Sequence, residues 1–176
     1  VVTHADDSDV QKKTSPWGGA LHPTEPYLIV QRVEGIAPGL YHYRAGDHAL
    51  QPLAPVDDLA RFAWIAVAGQ RWFADAHVLV VLAPRFHRNF WKYRNHAKAY
   101  RVTILDVGHL SQTLLLSATE LGLGAFVTAA INEADIEKAF GLTSFVDGPL
   151  AVCGFGIRAD TMATSEFDPN GNVWPR

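Results

Sequence analysis

The most sustained hydrophobic and polar pattern lies between residues 102 and 124, about 23 helix-compatible residues without proline and with two formal charges, Asp106 and Glu120. As a helix this stretch is roughly 34 Å long. Asp106, His109, Thr113, Ser117 and Glu120 recur at steps of three and four and form one polar line. Val107, Leu110, Leu114 and Leu121 flank the line on one side, and Leu105, Leu116 and Leu123 on the other. Opposite it lie Ile104, Gly108, Ser111, Leu115, Ala118 and Gly122, several of them small enough to admit a second helix. The pattern predicts a central packing helix, either at a subunit interface or in the core of a monomer, closed by Gly122 and Gly124.

Other segments follow from the same kind of reading. Residues 27–30 (YLIV) and the aliphatic run 78–82 (VLVVL) predict strands, the second buried on both faces. Residues 39–44 and 48–53 predict a hairpin around Ala45, Gly46 and Asp47. Pro55, followed by Asp57 and Asp58, predicts the start of a helix reaching about Ala68. Strands are predicted at 125–128 and 150–156, with a helix between them capped by Asn132, acidic in its first turn at Glu133 and Asp135, and closed by Gly141. Residues 1–14 are polar without apolar period and read as a connector, 15–158 as one domain, and 159–176 as a polar tail with a turn at 168–171. A chain opening on a connector raises the expectation of a fragment whose N-terminal part is absent. Irregular alternation of strands and helices with a hairpin among them predicts an α+β fold with a mixed sheet flanked by helices.

Composition narrows the function classes. The 176 residues are 48% hydrophobic and 19% charged, enough for a sizeable core in one domain. A net charge of −3 gives the average surface no general attraction for nucleic acid or an anionic membrane. No apolar run reaches the ~18 residues of a membrane span, and the single Cys153 lies in an apolar run as an inert buried thiol, which fits the cytoplasm.

Candidate chemistry concentrates in residues 85–101, where six of the 15 Lys and Arg residues fall in seventeen positions with no acidic residue and five aromatics interleaved. That composition suits a pocket for one anionic planar cofactor, an acidic peptide, a nucleic-acid strand, or a solvated face. The acidic overall balance disfavours nucleic acid. The histidines show no HExxH spacing and no close His/Cys cluster, so no metal site is expected. Gly154 to Arg158 (GFGIR) lacks the third glycine of a dinucleotide fingerprint, and no Gly-x-Ser-x-Gly elbow occurs. Gly18 and Gly19, in a turn-rich segment before the first predicted strand, let the backbone pass close to something flat or anionic, or simply form a loop.

Taken in order, SPWGGALHPTEPYLIV, PGLYHY, FWKYRNHAKAYRVTILDVGHLSQTLLLSATELGLGA and the apolar strand before CGFG resemble the SagB-type dehydrogenases, the azoline-oxidase group of the FMN-dependent nitroreductase superfamily. The resemblance spans about residues 13–158. It implies an intertwined homodimer with FMN at the subunit interface and the long helix near its centre. It also implies a modified-peptide substrate: members are similar to enzymes that turn thiazolines and oxazolines of ribosomal peptides into thiazoles and oxazoles, alongside other maturation proteins. By motif, Ser15, Pro16, Trp17, Gly18 and Gly19 fall on the flavin-bordering loop. Leu123, Gly124, Ala129 and Ala130 fall on the turn and strand whose backbone approaches the reactive flavin nitrogen. Arg158 falls on a phosphate ligand, and Lys92 and Tyr93 on the catalytic Lys-Tyr pair.

The resemblance also sets roles. Aromatising an azoline removes two electrons and two protons, so a hydride equivalent goes to the flavin while a base takes the ring proton. Lys92 serves as that base only if its pKa falls toward neutrality, through burial or through Arg88 and Arg94; otherwise it balances flavin charge. Tyr93 relays the proton or orients the substrate. Three departures accompany the match: no Arg-Arg-Ser-x-Arg element precedes Ser15, Trp17 stands where the group has a small serine, and Lys13 where it has arginine. Two other expectations stay open, an NAD(P)H-dependent nitroreductase-like flavin reductase and a catalytically silent partner that binds flavin or peptide within a maturation complex.

Overall fold

The computed structural model describes residues 2–5, 8–11 and 13–158. The segment read as a connector contains a two-stranded antiparallel ribbon, β1 (Val2–Ala5) against β2 (Ser8–Gln11). The predicted tail and its turn at 168–171 lie outside the described residues.

The remaining strands build one sheet. They are β3 (Thr24–Val30), β4 (Gly39–Arg44), β5 (Ala49–Pro52), β6 (Val78–Pro84), β7 (Gly124–Thr128) and β8 (Ala151–Gly156), in the order β5-β4-β3-β6-β8-β7. Every ladder in that sheet is antiparallel. The helices are α1 (Leu59–Ala66), the short α2 (Arg71–Ala74), α3 (Phe86–Lys92), the 23-residue α4 (Lys98–Glu120) and α5 (Glu133–Phe140). The α+β class read from the sequence is the class observed, but the sheet is antiparallel throughout rather than mixed.

β6 is central and buried on both faces, because its side chains alternate between two cores. Leu79, Val81 and Ala83 join Ile29, Phe62, Ile136, Phe140 and Val152 beneath α1 and α5. Val80 and Leu82 join Val107, Ala151 and Cys153 beneath α4. The local signals act where expected: Asn132 accepts from the Asp135 amide at 3.3 Å, and Gly141 closes α5 with φ 66°.

Some boundaries move for local reasons. α1 starts at Leu59 rather than near Pro55, because Asp58 is the extended residue whose carboxylate caps the Arg61 amide at 2.9 Å. His48, expected in the hairpin strand, takes φ 51° in the turn, and β5 starts one residue later. α4 starts at Lys98, four residues earlier than the expected 102, and Gly122 follows its end with φ 72°.

α4 also departs from its amphipathic reading. Asp106 and Ser111 are buried, whereas Leu105, Leu116 and Leu121 are exposed, by 62% at Leu116 and 75% at Leu121. Asp106 turns inward, where it accepts from the Gly18 amide, Ser111 bonds back to the Gly108 carbonyl of its own helix, and the outer side stays apolar.

Candidate active site

The site is built around the loop that joins β2 to β3. It opens with Ser15 and Pro16, tightens into a 3-10 turn at Gly18–Ala20, and enters β3 through buried Pro23. Gly19 has φ 69°, Ala20 57° and His22 45°, so three positions adopt the left-handed region, two of them bearing side chains that disfavour it. Such a conformation persists only when its surroundings hold it.

Four side chains from α3 and α4 do so. Ser15 Oγ donates to Thr113 Oγ1 at 2.9 Å. The Gly18 amide donates to Asp106 Oδ1 at 2.7 Å. Lys92 Nζ donates to the Gly19 carbonyl at 3.0 Å, and Arg88 Nη1 to the His22 carbonyl at 2.8 Å. The expected close approach at the glycines is to the chain's own side chains. A Cβ on Gly18 would stand 2.1 Å from Val102 Cγ1, and one on Gly19 2.4 Å from Lys92 Nζ.

Lys92 and Tyr93 end α3. The Tyr93 amide donates to the Asn89 carbonyl at 2.9 Å, and Lys98 Nζ lies 5.6 Å from the centre of the Tyr93 ring. A surface cavity of about 350 Å³ is lined by Tyr93, Phe90, Arg94, His96 and Tyr100. Lys92 is exposed.

Much of the basic segment is engaged internally. Arg88 Nη2 pairs with Glu25 at 2.8 Å, Arg85 Nε faces Asp147 at 3.6 Å, and Arg94 donates to the Trp91 carbonyl at 2.8 Å. Its cations serve chiefly to brace α3 against β3 and the loop. Cys153 is buried in β8, and desolvation pushes its thiol up to about 12, as befits an inert core residue.

The other expected cofactor contacts sit elsewhere. Leu123 and Gly124 follow the C-terminus of α4, and Gly124 lies against Arg158, 3.5 Å from a Cβ position to the Arg158 Cα. Ala129 and Ala130 follow β7. There Gln70 Nε2 donates to the Ala130 carbonyl at 2.9 Å, and the Ala130 amide donates to Thr128 Oγ1 at 3.1 Å. One chain thus joins Ser15–Gly19 with Lys92 and Tyr93, and separately joins Gly124 with Arg158. From Asp106 and Thr113, which hold the loop, to the end of α4 at Glu120 the helix rises about 21 and 10 Å.

Sequence reading missed the residues that hold these pieces: Asp106, Asn89, Arg88 and Thr113 for the loop, Gln70 for the turn after β7. Asp106 and Thr113 carried a signal as members of the polar line on α4, and Arg88 as part of the basic segment, but none of them pointed to the loop.

Residues 3–157 match the family described as Nitroreductase family. The chain belongs to the nitroreductase family. Among its relatives are the trifolitoxin-processing protein TfxB of Rhizobium leguminosarum bv. trifolii, 29% identical over 80% of this chain and 38% of TfxB. Another is the microcin B17-processing protein McbC of Escherichia coli, 27% identical over 82% of this chain and 54% of McbC. The solved E. coli microcin synthetase McbBCD complex with truncated pro-MccB17 bound is similar with TM-score 0.74 and 27% identity, over 85% of this chain and 57% of that one. The chain spans between 38% and 62% of the length of the curated relatives it matches. Among the described residues, no helix is long and apolar enough to cross a membrane.

Proposed function

We propose that this chain is the flavin domain of an FMN-dependent dehydrogenase or oxidase of the SagB type, acting on a modified peptide by converting an azoline ring to an azole. The observation that carries the reading is the clamped loop, which brings Lys92 onto the Gly19 carbonyl beside Tyr93 in a nitroreductase-family chain with peptide-processing relatives. The residues fit a flavin: the Trp17 indole nitrogen, in the loop expected to border it, is buried without an acceptor among the described residues, and Arg158 is exposed beside Gly124.

In this reading Ser15, Pro16, Trp17, Gly18 and Gly19 border the ring system, Leu123, Gly124, Ala129 and Ala130 lie along its other side, and Arg158 holds the phosphate. Bound FMN supplies a two-electron acceptor for a hydride equivalent. Lys92 Nζ, which donates to the Gly19 carbonyl, takes the substrate ring proton where substrate and a second copy bury it, and otherwise balances flavin charge. Tyr93 Oη orients the ring or passes the proton on.

The loop group is held at Asp106 and Thr113 of α4, Leu123 and Gly124 follow its C-terminus, and its outer side exposes Ile104, Leu105 and Leu116. A second copy packed on that side unites the groups into one site and covers the leucines, which makes the working unit a homodimer.

The test is a visible absorption spectrum of the purified protein, with heat release and identification of the cofactor. FMN at about one per chain supports the reading, and a protein that stays colourless with added FMN contradicts it. The family match also supports a second reading, a nitroreductase-like flavin reductase. Anaerobic bleaching of the flavin by NADH or NADPH alone favours that one.

A further inference from the structure

Asp106 is 1% exposed in the middle of the protein, and its contacts there are polar and neutral. Its Oδ1 accepts from the Gly18 amide at 2.7 Å, across 88 positions of sequence, and its Oδ2 accepts from Asn89 Nδ2 at 3.2 Å. Asn89, also fully buried, donates from the same nitrogen to Thr103 Oγ1 at 2.9 Å, and Thr103 Oγ1 donates to the Ala99 carbonyl at 3.1 Å. Burying a carboxylate is costly, and an acceptor that only filled space would be replaced by an amide or an aliphatic side chain at little loss.

The arrangement has a use that packing alone does not explain. Asn89 stands three residues before Lys92, in the last turn of α3, and its carbonyl receives the Tyr93 amide. Gly18 stands one residue before the carbonyl that receives Lys92 Nζ. One carboxylate therefore holds two neighbouring segments, the left-handed loop by one oxygen and, through the Asn89 side chain, the α3 turn that leads into Lys92 and Tyr93 by the other.

We propose that Asp106 is a positioning residue that sets the register of the Gly18–Gly19 loop against the turn bearing Lys92 and Tyr93. The inference rests on the flavin reading for its catalytic consequence, although the clamp itself is a property of the chain. A carboxylate suits the task because both facing groups are donors. An amide in its place loses the charge-assisted bond and turns its NH2 toward one of them, where donor faces donor unless Asn89 flips and gives up its bond to Thr103 Oγ1.

The experiment is amide hydrogen exchange by NMR on wild type, Asp106→Asn and the double variant Asn89→Asp/Asp106→Asn, each also titrated with FMN and followed by visible circular dichroism. In wild type the Gly18 amide is protected like a buried one. An unprotected Gly18 overturns the proposal with no variant needed. In Asp106→Asn the Gly18 amide exchanges at least about tenfold faster while Leu79 and Val81 of β6 keep their rates, and the bound-flavin dichroism changes.

The double variant returns donor to acceptor on both sides of position 106, with the Thr103 hydroxyl turning from the Ala99 carbonyl to the carboxylate at 89, and restores Gly18 protection and the dichroism together. Uniform acceleration at Gly18 and β6, or failure of the double variant to recover protection, shows a merely structural residue and overturns the proposal. Should Asp106→Asn not fold, the double variant decides by the same criterion. A wild-type protein that takes up no FMN contradicts the flavin reading, and the exchange rates still judge the clamp.

Discussion

The two faces of the sheet are built differently. Beneath α1 and α5 the core closes: Ile29, Leu79, Val81, Ile136 and Val152 are fully buried, with Phe62 and Phe140 packed edge to face over them. Beneath α4 the buried apolar set is smaller, Leu110, Leu114 and Leu115 are only partly covered, and α4 presents Leu105 and Leu116 outward. The closed face contains the apolar packing that lets the chain fold. The open face bears the strained loop, the buried polar clamp and, on our reading, the chemistry and the second subunit. A helix that serves a loop on one side and, on our reading, a partner on another does not present one clean apolar stripe.

Truncation on the closed face has the largest expected effect. Ile136→Ala lowers unfolding free energy by about 2–5 kcal/mol in urea titrations, since the site cannot collapse around the missing methyl groups. On the open face, Leu116→Lys leaves the folding of the single chain within about 0.5 kcal/mol. It weakens self-association by about 2 kcal/mol or more, read by sedimentation. An equal loss of folding stability at both positions would erase the distinction between the faces.

The alkaline limb gives a smaller effect. Burial raises the Cys153 thiol to about 12 from an ordinary 9.0, so the folded state keeps a proton that the unfolded chain releases above about 9. That contribution is complete below pH 9 and is lost as pH rises toward 12. Between pH 8 and 10 it removes about 1.4 kcal/mol, and Cys153→Ala flattens this part of the pH profile. Smallest is the cap on the closed face: Asn132→Ala costs about 1 kcal/mol in the same urea titrations and leaves self-association unchanged.

The same contrast explains what was legible in the sequence. Elements of the closed face announce themselves locally: the aliphatic run of β6, the cap at Asn132, the left-handed Gly141. On the open face the determinants are non-local. The break between α3 and α4 at residues 93–97 interrupts a segment whose composition is helix-compatible throughout. Asp106 sits on the polar line, and only the Gly18 amide, far away in sequence, shows why that line turns inward. The turn-rich composition of residues 15–23 signals a loop but not the left-handed backbone of Ala20 and His22, which Arg88, Lys92 and Asp106 help to hold. The site residues expected from family motifs are placed in two groups, and a motif is silent about which copy supplies each.

The central claim is that the open face is completed by a second copy and that flavin sits where the two groups meet. Its most direct test is light scattering on the purified protein while FMN is titrated in, with flavin uptake read by absorbance on the same sample. The account predicts a dimeric mass with about one FMN per chain, and loss of both dimer and flavin in Leu116→Lys. A single-chain mass with FMN bound, or a stable dimer that takes up none, would contradict it.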